Sequence, residues 1–340
     1  MLSISVLIPT LNSARVLERC LQSIAKQDYP KNKIEIIIAD GGSTDKTFQI
    51  AQKYDAKIYQ NSLKTGEAGK AIALHHAKND LVALIDSDNL LPTKDWLKKM
   101  VVPFSDPQIV GSEPWKFTWR KRDGFIDRYC ALIGMNDPLV MFLGNYDRLN
   151  LLTDKWTELE IEQKEKDGYI EIPLSPGLLP TIGANGTILR RSIFKDYQVK
   201  NYLFDIDVIY ELAQRNTKKF WKFAKVKTSI IHLYSHSSIL QFFQKQKRRV
   251  KDYLYYESLG VRKYPWRVFG WNTMRGKGLC LFIFFTLSIF PLLFQSWRGY
   301  QKKKDWAWFL HPLACLLTLI IYSYYWIARI IFGVELFHRK

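Results

Sequence analysis

The stretch LVALIDSDN at residues 81–89 says the most about the fold. Its five consecutive apolar residues predict a strand that is buried on both faces of a parallel sheet. Asp86 and Asp88 follow directly, and side chains two residues apart in extended backbone point to the same side. The two carboxylates are therefore expected to converge at the sheet edge, where they suit a hard cation. The alternative is a turn with two solvated aspartates.

Strands and helices alternate through the first ninety residues. Mostly apolar runs at 4–8 and 34–39 and a short segment at 57–59 predict further strands, and helical spacing is seen at 12–25 and 66–78. This alternation predicts a doubly wound α/β half with a parallel sheet. Ligands of such sheets bind at the carboxyl ends of the strands. The predicted rim comprises residues 9–12, 40–45 and 86–89.

Two shorter motifs lie on the same rim. In ADGGSTDKT (39–47), Asp40 ends a strand, Gly41 permits a tight turn, and Ser43 or Thr44 is predicted to cap the next helix. An aspartate there can accept hydrogen bonds from a base or a ribose. In IPTLNS (8–13), polar groups of Thr10 and Asn12 reach the same edge. The bland alternative for each motif is an ordinary turn and helix cap.

The charge balance indicates an anionic partner. The 340 residues include 50 basic and 32 acidic ones, a formal net charge of +18. Nucleic acid fits such a charge, but no recognised nucleic-acid-binding module is present, and the apolar C-terminal segments favour an anionic membrane surface. The four cysteines contain no CxxC pair, so the sequence predicts no zinc site.

The C-terminal third has the composition of a membrane anchor. A basic run at 245–251 precedes an aromatic, basic stretch that suits a helix in the membrane interface. Residues 279–294 are apolar but short and interrupted by Pro291, whereas 307–332 are long enough to span. A two-pass hairpin is predicted. Its basic loop would then lie outside, against the positive-inside tendency, so a re-entrant or interfacial first segment is the alternative.

We therefore predict three regions: a catalytic domain at 1–245 with halves at 1–92 and 93–245, an amphipathic interfacial segment at 246–278, and an anchor at 279–340 with two apolar helices. The N-terminus lacks a basic region and a long apolar run. It is predicted to be a strand rather than a signal peptide, which places the catalytic domain on the cytoplasmic side of the membrane.

The spacing of IPTLN, DGGSTD, GEAGKAIALHHA and DSDN resembles family 2 glycosyltransferases of the GT-A fold, over about residues 3–250. The resemblance implies a Rossmann-like, mostly parallel sheet and a nucleotide-diphosphate sugar donor. It implies donor-binding roles for the following residues: Pro9, Thr10, Asn12, Asp40, Gly41, Lys70, Asp86 and Ser87. Lys70 stands where many relatives have an arginine. Asp88, with Asp86, would bind Mn2+ or Mg2+.

Downstream motifs complete the resemblance. TIGANGTILRRSIF (181–194) resembles the segment that lines the sugar and acceptor site. FDIDV (204–208) resembles the acidic ED-x-D element, with Phe204 replacing the glutamate. Asp205 is then the candidate catalytic base and Asp207 the second candidate. His232 is a candidate metal or phosphate contact, although a lone histidine is more often structural, and His236 is a weaker candidate.

The segment QKRRV (246–250) resembles the Q-x-x-R-W element of processive synthases, with Val250 in place of the tryptophan. That replacement disfavours a processive polymerase, and the basic run remains a candidate contact for a diphosphate or a lipid headgroup.

The function predicted is a membrane-associated, metal-dependent inverting glycosyltransferase with a lipid-linked or cell-surface glycan acceptor. One alternative is a polyprenyl-phosphate glycosyltransferase. Another is a non-catalytic membrane scaffold with a degenerate GT-A fold.

Overall fold

The computed structural model describes residues 1–195, 199–215, 221–266 and 273–333. The chain divides into two units, which are described separately. Unit 1 comprises residues 1–118 and 160–233, and unit 2 comprises 119–159 and the chain from 234 onward. Residues 267–272 of the predicted interfacial segment, including Phe269 and Trp271, lie outside the described residues.

The secondary structure follows in chain order. The strands are β1 (Ile4–Thr10), β2 (Ile34–Asp40), β3 (Lys57–Gln60), β4 (Leu81–Leu84), β5 (Asn89–Leu90), β6 (Ile109–Phe117), β7 (Lys164–Lys166), β8 (Tyr169–Pro173), β9 (Thr187–Arg190) and β10 (Lys222–His232). The helices are α1 (Ala14–Ala25), α2 (Thr47–Gln52), α3 (Gly66–His76), α4 (Trp96–Val101), α5 (Phe125–Ile133), α6 (Pro138–Leu143), α7 (Asp205–Arg215), α8 (Ile239–Ser258), α9 (Met274–Ser288), α10 (Phe290–Lys302) and α11 (His311–Phe332).

Unit 1 is built on one sheet with the strand order β3-β2-β1-β4-β9-β6-β10-β8-β7, and β5 pairs with β10. Strands β3, β2, β1 and β4 run parallel, which confirms the predicted doubly wound half. Beyond β4 the sheet is mixed, because β9 runs antiparallel to both β4 and β6. Antiparallel neighbours need no crossover helix, so the alternation of strands and helices ends there.

The predicted cap of α2 is wrong. The helix begins at Thr47, and Asp45 Oδ1 accepts hydrogen bonds from the Thr47 amide at 2.9 Å and its hydroxyl at 2.5 Å. Ser43 and Thr44 are held instead by side chains of the preceding loops, Asp40 and Asn12. Their hydroxyls therefore brace the sheet rim, while the N-cap position of the helix is Lys46, which makes no side-chain capping hydrogen bond.

A buried ion pair joins two parallel strands of unit 1. Lys225 of β10 lies directly opposite Glu113 of β6, and both side chains are completely inaccessible to solvent. The Lys225 ammonium donates a hydrogen bond to the Glu113 carboxylate. Such a pair contributes little net stability, but the loss of one partner leaves a buried charge uncompensated.

Unit 2 is helical. Phe142 of α6 packs edge-on against Phe282 of α9, and Val250 and Leu254 of α8 form a buried cluster with Ile321 of α11. The Q-x-x-R residues of α8 are engaged within this unit. Gln246 is fully buried and donates to the Asn136 carbonyl, and Arg249 lies 3.6 Å from the Asp137 carboxylate.

The first apolar C-terminal segment is two helices rather than one. α9 and α10 meet at a bend of 96°, where Ile289 has a φ of 62°. A positive φ is rare for a β-branched residue, so the break is a defined feature. Among the described residues one helix, Trp306–Phe332, is long and apolar enough to cross a membrane, or two if the bent pair counts as one span.

We predict that Lys225→Met destabilises unit 1 by about 3–5 kcal/mol, because Glu113 would stay buried and charged. The double variant Lys225→Met/Glu113→Leu should recover most of that loss. Urea unfolding of the detergent-solubilised protein, followed by tryptophan fluorescence, measures both. A double variant no more stable than the single one would contradict this account.

Candidate active site

The loops after β1 and β2 interlock at the sheet rim. The Asp40 carboxylate accepts hydrogen bonds from the Thr10 hydroxyl at 2.7 Å, the Gly42 amide at 2.9 Å, and the amide and hydroxyl of Ser43 at 2.7 and 2.6 Å. Desolvation opposes the charged form, but these bonds outweigh it and lower the pKa of Asp40 below its ordinary value. Asp40 is therefore an ionised organiser of the rim.

The loop after β1 is tied to its neighbours on both sides. Asn12, with a φ of 49°, accepts a hydrogen bond from the Thr44 amide at 2.8 Å through its side chain. On the other side, the Ser87 hydroxyl donates to the Ser13 hydroxyl at 3.2 Å. The Gly41 amide donates to the Thr10 carbonyl at 2.8 Å. The three predicted rim segments are thus joined by direct contacts.

Asn89 fixes the turn that carries the two aspartates, and the sequence analysis missed it. It is fully buried, accepts a hydrogen bond from the Asp86 amide at 3.0 Å, and donates to the Asn185 side chain at 3.0 Å. Asn185 belongs to the GANG segment, where Gly186 donates to the Leu84 carbonyl at 3.0 Å. The sequence features that could have indicated this contact are the asparagine directly after DSD and the second asparagine in the GANG segment.

Asp88 and His232 form a candidate metal-binding pair. Asn89 lies opposite His232 in the pairing of β5 with β10, and the Leu233 amide donates to the Asp88 carbonyl at 2.9 Å. This register brings His232 Nε2 to 3.4 Å from Asp88 Oδ1. Adjacent corners of an octahedron with bonds of about 2.1 Å are about 3 Å apart, so both atoms fit one cation.

The donor types also fit, since carboxylate oxygen suits Mg2+ and Mn2+ and imidazole favours a transition metal. No group of three or more such side chains with metal-binding geometry occurs within the described part of the chain. The protein therefore offers a partial coordination shell, and the remaining positions are left to water or to a bound anion.

Lys70 brings two predicted acidic residues together. It lies on α3, and a side chain at the preceding Gly69 would meet Pro9 at 2.8 Å, so the helix packs tightly against the end of β1. The buried ammonium is 3.5 Å from Asp86 and 3.9 Å from Asp205. Burial disfavours the ammonium, but the charges of Asp205 and Asp86 outweigh it and raise the pKa of Lys70.

Asp205 and Asp207 lie on different sides of the first turn of α7, as residues two apart on a helix do. The Leu203 amide donates to the Glu67 carbonyl at 3.0 Å, which holds the start of α7 beside α3. The Asp205 side chain keeps 17% of its surface exposed, whereas Asp207 is only 1% exposed. The structure therefore joins Asp205, and not Asp207, to Lys70 and Asp86.

The pKa of the Cys20 thiol, which lies beneath this rim, is affected by the charges of the rim. Its buried thiol on α1 lies 3.9 Å from the Asp86 carbonyl. Burial, followed by the negative charges of Asp88 and Asp86, raises the pKa of the Cys20 thiol. Negative charge is thus concentrated at the DSD turn, which suits a cation.

Comparison with known proteins identifies the domain. Residues 5–129 match the sequence model of glycosyl transferase family 2. A poly(ribitol-phosphate) beta-N-acetylglucosaminyltransferase, TarS, from Staphylococcus aureus is 38% identical over 104 residues, which cover 29% of this chain and 18% of that protein. A dolichyl N-acetyl-alpha-D-glucosaminyl phosphate 3-beta-D-2,3-diacetamido-2,3-dideoxy-beta-D-glucuronosyltransferase from Methanococcus voltae is 30% identical over 120 residues, covering 32% of this chain and 37% of that protein.

The chain thus spans well under half the length of these curated relatives. Among solved structures, the mannosyltransferase PcManGT from Pyrobaculum calidifontis, in complex with GDP-Man and Mn2+, matches with a TM-score of 0.51. It is 14% identical, and the match covers 95% of this chain and 87% of that one, so the likeness concerns the fold. Residues 5–129 therefore match glycosyl transferase family 2, and the chain has a GT-A fold.

Proposed function

We propose that the protein is a metal-dependent, inverting glycosyltransferase that moves a sugar from a nucleotide-diphosphate donor to a lipid-linked or cell-surface glycan acceptor at a membrane. The observation that carries the proposal is the group formed by Lys70, Asp86 and Asp205, next to the pair that Asp88 forms with His232 at the end of β10. It combines a partly exposed carboxylate, a buried cation and a candidate metal pair at the carboxyl end of β4.

Asp205 is the better candidate for the base. Inversion in one step needs a carboxylate that takes the proton of the acceptor hydroxyl as its oxygen attacks the anomeric carbon. That carboxylate must be reachable by the acceptor, which favours the partly exposed Asp205 over the buried Asp207. The ion pair with Lys70 would hold the Asp205 carboxylate in a fixed orientation before the acceptor arrives.

Asp88 and His232 are the residues proposed to hold Mn2+ or Mg2+. A divalent cation bound there would neutralise charge that develops on the leaving nucleoside diphosphate. Thr10, Asn12 and Asp40 keep the loops that face the nucleoside in place through their mutual hydrogen bonds. The PcManGT complex contains GDP-Man and Mn2+, which supports a donor and a metal of these classes.

The proposed acceptor class follows from charge and from the relatives. The names of the S. aureus and M. voltae relatives specify a poly(ribitol-phosphate) and a dolichyl phosphate-linked sugar. Both are anionic, and one is a membrane lipid. A chain with a net charge of +18 and apolar C-terminal helices suits such acceptors, with the catalytic domain on the cytoplasmic face of the membrane.

The proposal is tested by donor hydrolysis with the detergent-purified full chain. UDP-, GDP- and dTDP-sugars are screened with Mn2+, Mg2+ or excess chelator, and release of nucleoside diphosphate is followed. We expect one donor class to be turned over, with activity lost in chelator and restored by added metal. Absence of both binding and turnover for every donor would refute the enzymatic proposal and favour the scaffold alternative.

We predict that Asp205→Asn lowers kcat for glycosyl transfer by about 10²–10⁴-fold, because the general base is removed. Binding of the nucleoside diphosphate, measured by calorimetry with Mn2+ present, should change little. Asp207→Asn is the matched control on the same helical turn and is expected to keep most of kcat. A larger loss of kcat in Asp207→Asn than in Asp205→Asn would reverse the assignment.

We also predict that His232→Asn weakens Mn2+ binding in the presence of the nucleoside diphosphate by at least about tenfold. A tenfold loss of affinity corresponds to about 1.4 kcal/mol of binding free energy. The comparison is His236→Asn, at an exposed histidine of unit 2, where asparagine tolerates the φ of 57°. Electron paramagnetic resonance of Mn2+ measures free and bound metal directly. Equal Mn2+ affinity in both variants would show that His232 is not a metal ligand.

A further inference from the structure

Helix α11 has two distinct faces. One is buried and includes His311, Ala314, Cys315, Thr318 and Ile321. The opposite face is exposed and carries the following large apolar residues: Leu313, Leu316, Ile320, Tyr324, Ile327 and Ile331. These exposed residues recur every three or four positions, so they form one stripe about 27 Å long. The buried face packs against other helices of unit 2, so lipid would not surround α11 on all sides.

The partner on the covered face is a charged helix. α8 packs along α11 through Val250 and Leu254, and Arg329 of α11 pairs with Glu257 of α8 at 2.6 Å. The charged residues of α8 are Lys245, Lys247, Arg248, Arg249, Lys251, Asp252 and Glu257. If α11 crossed a bilayer, this part of α8 would be drawn to hydrocarbon depth beside it. Charged side chains are costly there, so the pairing disfavours a crossing.

Both ends of the bent pair α9–α10 are tied by hydrogen bonds to other parts of unit 2. At its start, Arg275 donates to the Tyr264 hydroxyl at 3.0 Å, and Tyr264 accepts a hydrogen bond from Asn145 at 2.5 Å. Just after its end, Asp305 accepts a hydrogen bond from Arg128 at 2.9 Å. Asn145 and Arg128 both belong to segment 119–159 of unit 2. The two ends of the pair are therefore held by the same segment.

The apex of the bent pair, at Ile289, carries exposed apolar side chains. Leu287 is 71% exposed and Phe290 is 81% exposed, on either side of the bend at Ile289. α9 and α10 are about 22 and 20 Å long, and each is shorter than the hydrocarbon core of about 30 Å. With both ends tied to segment 119–159 and a bend of 96°, the pair has the shape of a wedge that could enter one leaflet and return.

We propose that unit 2 binds one leaflet of an anionic bilayer without crossing it, with the α11 stripe lying in the membrane plane and the α9–α10 apex inserted as a wedge. This inference rests on the membrane location in the proposed function and specifies its geometry. Exposed Arg298 and Lys304 adjoin the apolar surface and supply the positive charge that anionic headgroups attract. Aromatic residues Trp297 and Trp306, both exposed, suit the interface.

The test measures the depth of single probes in vesicles. The full chain with Cys280→Ser leaves the buried Cys20, Cys130 and Cys315, and each of Leu313→Cys, Ile320→Cys and Ile327→Cys is then labelled with an environment-sensitive fluorophore. Phosphatidylcholine–phosphatidylglycerol vesicles contain lipids with quenchers at defined depths. We expect all three probes at one shallow depth, about 5–10 Å below the headgroups. Leu178→Cys, an exposed apolar position in unit 1, is the control and should show no quenching.

Three outcomes would overturn the proposal. In a crossing helix, the probe at 320 would lie near the bilayer centre and those at 313 and 327 about 10 Å from it towards opposite faces, so the middle probe would be much the deepest. No quenching at any position would show that unit 2 does not bind the membrane. A dimer in lipid-free buffer by light scattering, with probes shielded but not quenched by lipid, would assign the stripe to a second copy of the chain.

Two further measurements separate this proposal from the proposed enzymatic function. Arg298→Gln/Lys304→Gln should weaken binding to phosphatidylglycerol vesicles at low salt and leave the weak binding to phosphatidylcholine unchanged. Unchanged binding to phosphatidylglycerol would overturn the headgroup contacts. Release of nucleoside diphosphate is measured on the same samples, so a failed membrane geometry with intact turnover refutes this inference alone.

Discussion

Lys70 is a buried cation, and the arrangement of the candidate site follows from the need to neutralise it. An isolated buried ammonium is strongly unfavourable, and the chain compensates it with Asp86 from the turn after β4 and Asp205 from the start of α7. These residues are far apart in sequence. The electrostatic requirement of one side chain therefore fixes the relative positions of a strand end and two helices.

Lys70 does not neutralise all of the negative charge that lies at the rim. Asp40 is already ionised and held by the hydrogen bonds of its own turn, and Asp88 lies beside His232. Carboxylates thus outnumber the cationic side chains that lie among them. A divalent metal bound there, as proposed, would balance this excess, and the diphosphate of a donor would be held through the metal rather than by direct contact with carboxylates. Burial, followed by the charges of Asp88 and Asp86, raises the pKa of the Cys20 thiol beneath the turn.

The sequence predicts the parallel half of the fold well because three of its four strands, β1, β2 and β4, are mostly apolar runs that fit a buried sheet. It predicts the rim for the same reason, since residues that end neighbouring parallel strands must meet. It fails where partners are distant. The contact of Asn89 with Asn185 spans 96 positions, and the contact of Gln246 with Asn136 spans 110. Neither leaves a local pattern. The prediction of the α2 cap is wrong for another reason. Ser43 is a good cap residue, but its hydroxyl already donates a hydrogen bond to Asp40.

The same limit applies to membrane segments. Length and apolar composition identify α11 as a candidate span, but they describe a helix in isolation. Whether it can cross a bilayer depends on what packs against it, and α8 is too highly charged to accompany it at low cost. Val250, which replaces the tryptophan of the resembling motif, lies in the cluster with Ile321. The helix that carries the Q-x-x-R residues is thereby tied to the apolar C-terminal helix, so the position of one at a membrane constrains the position of the other.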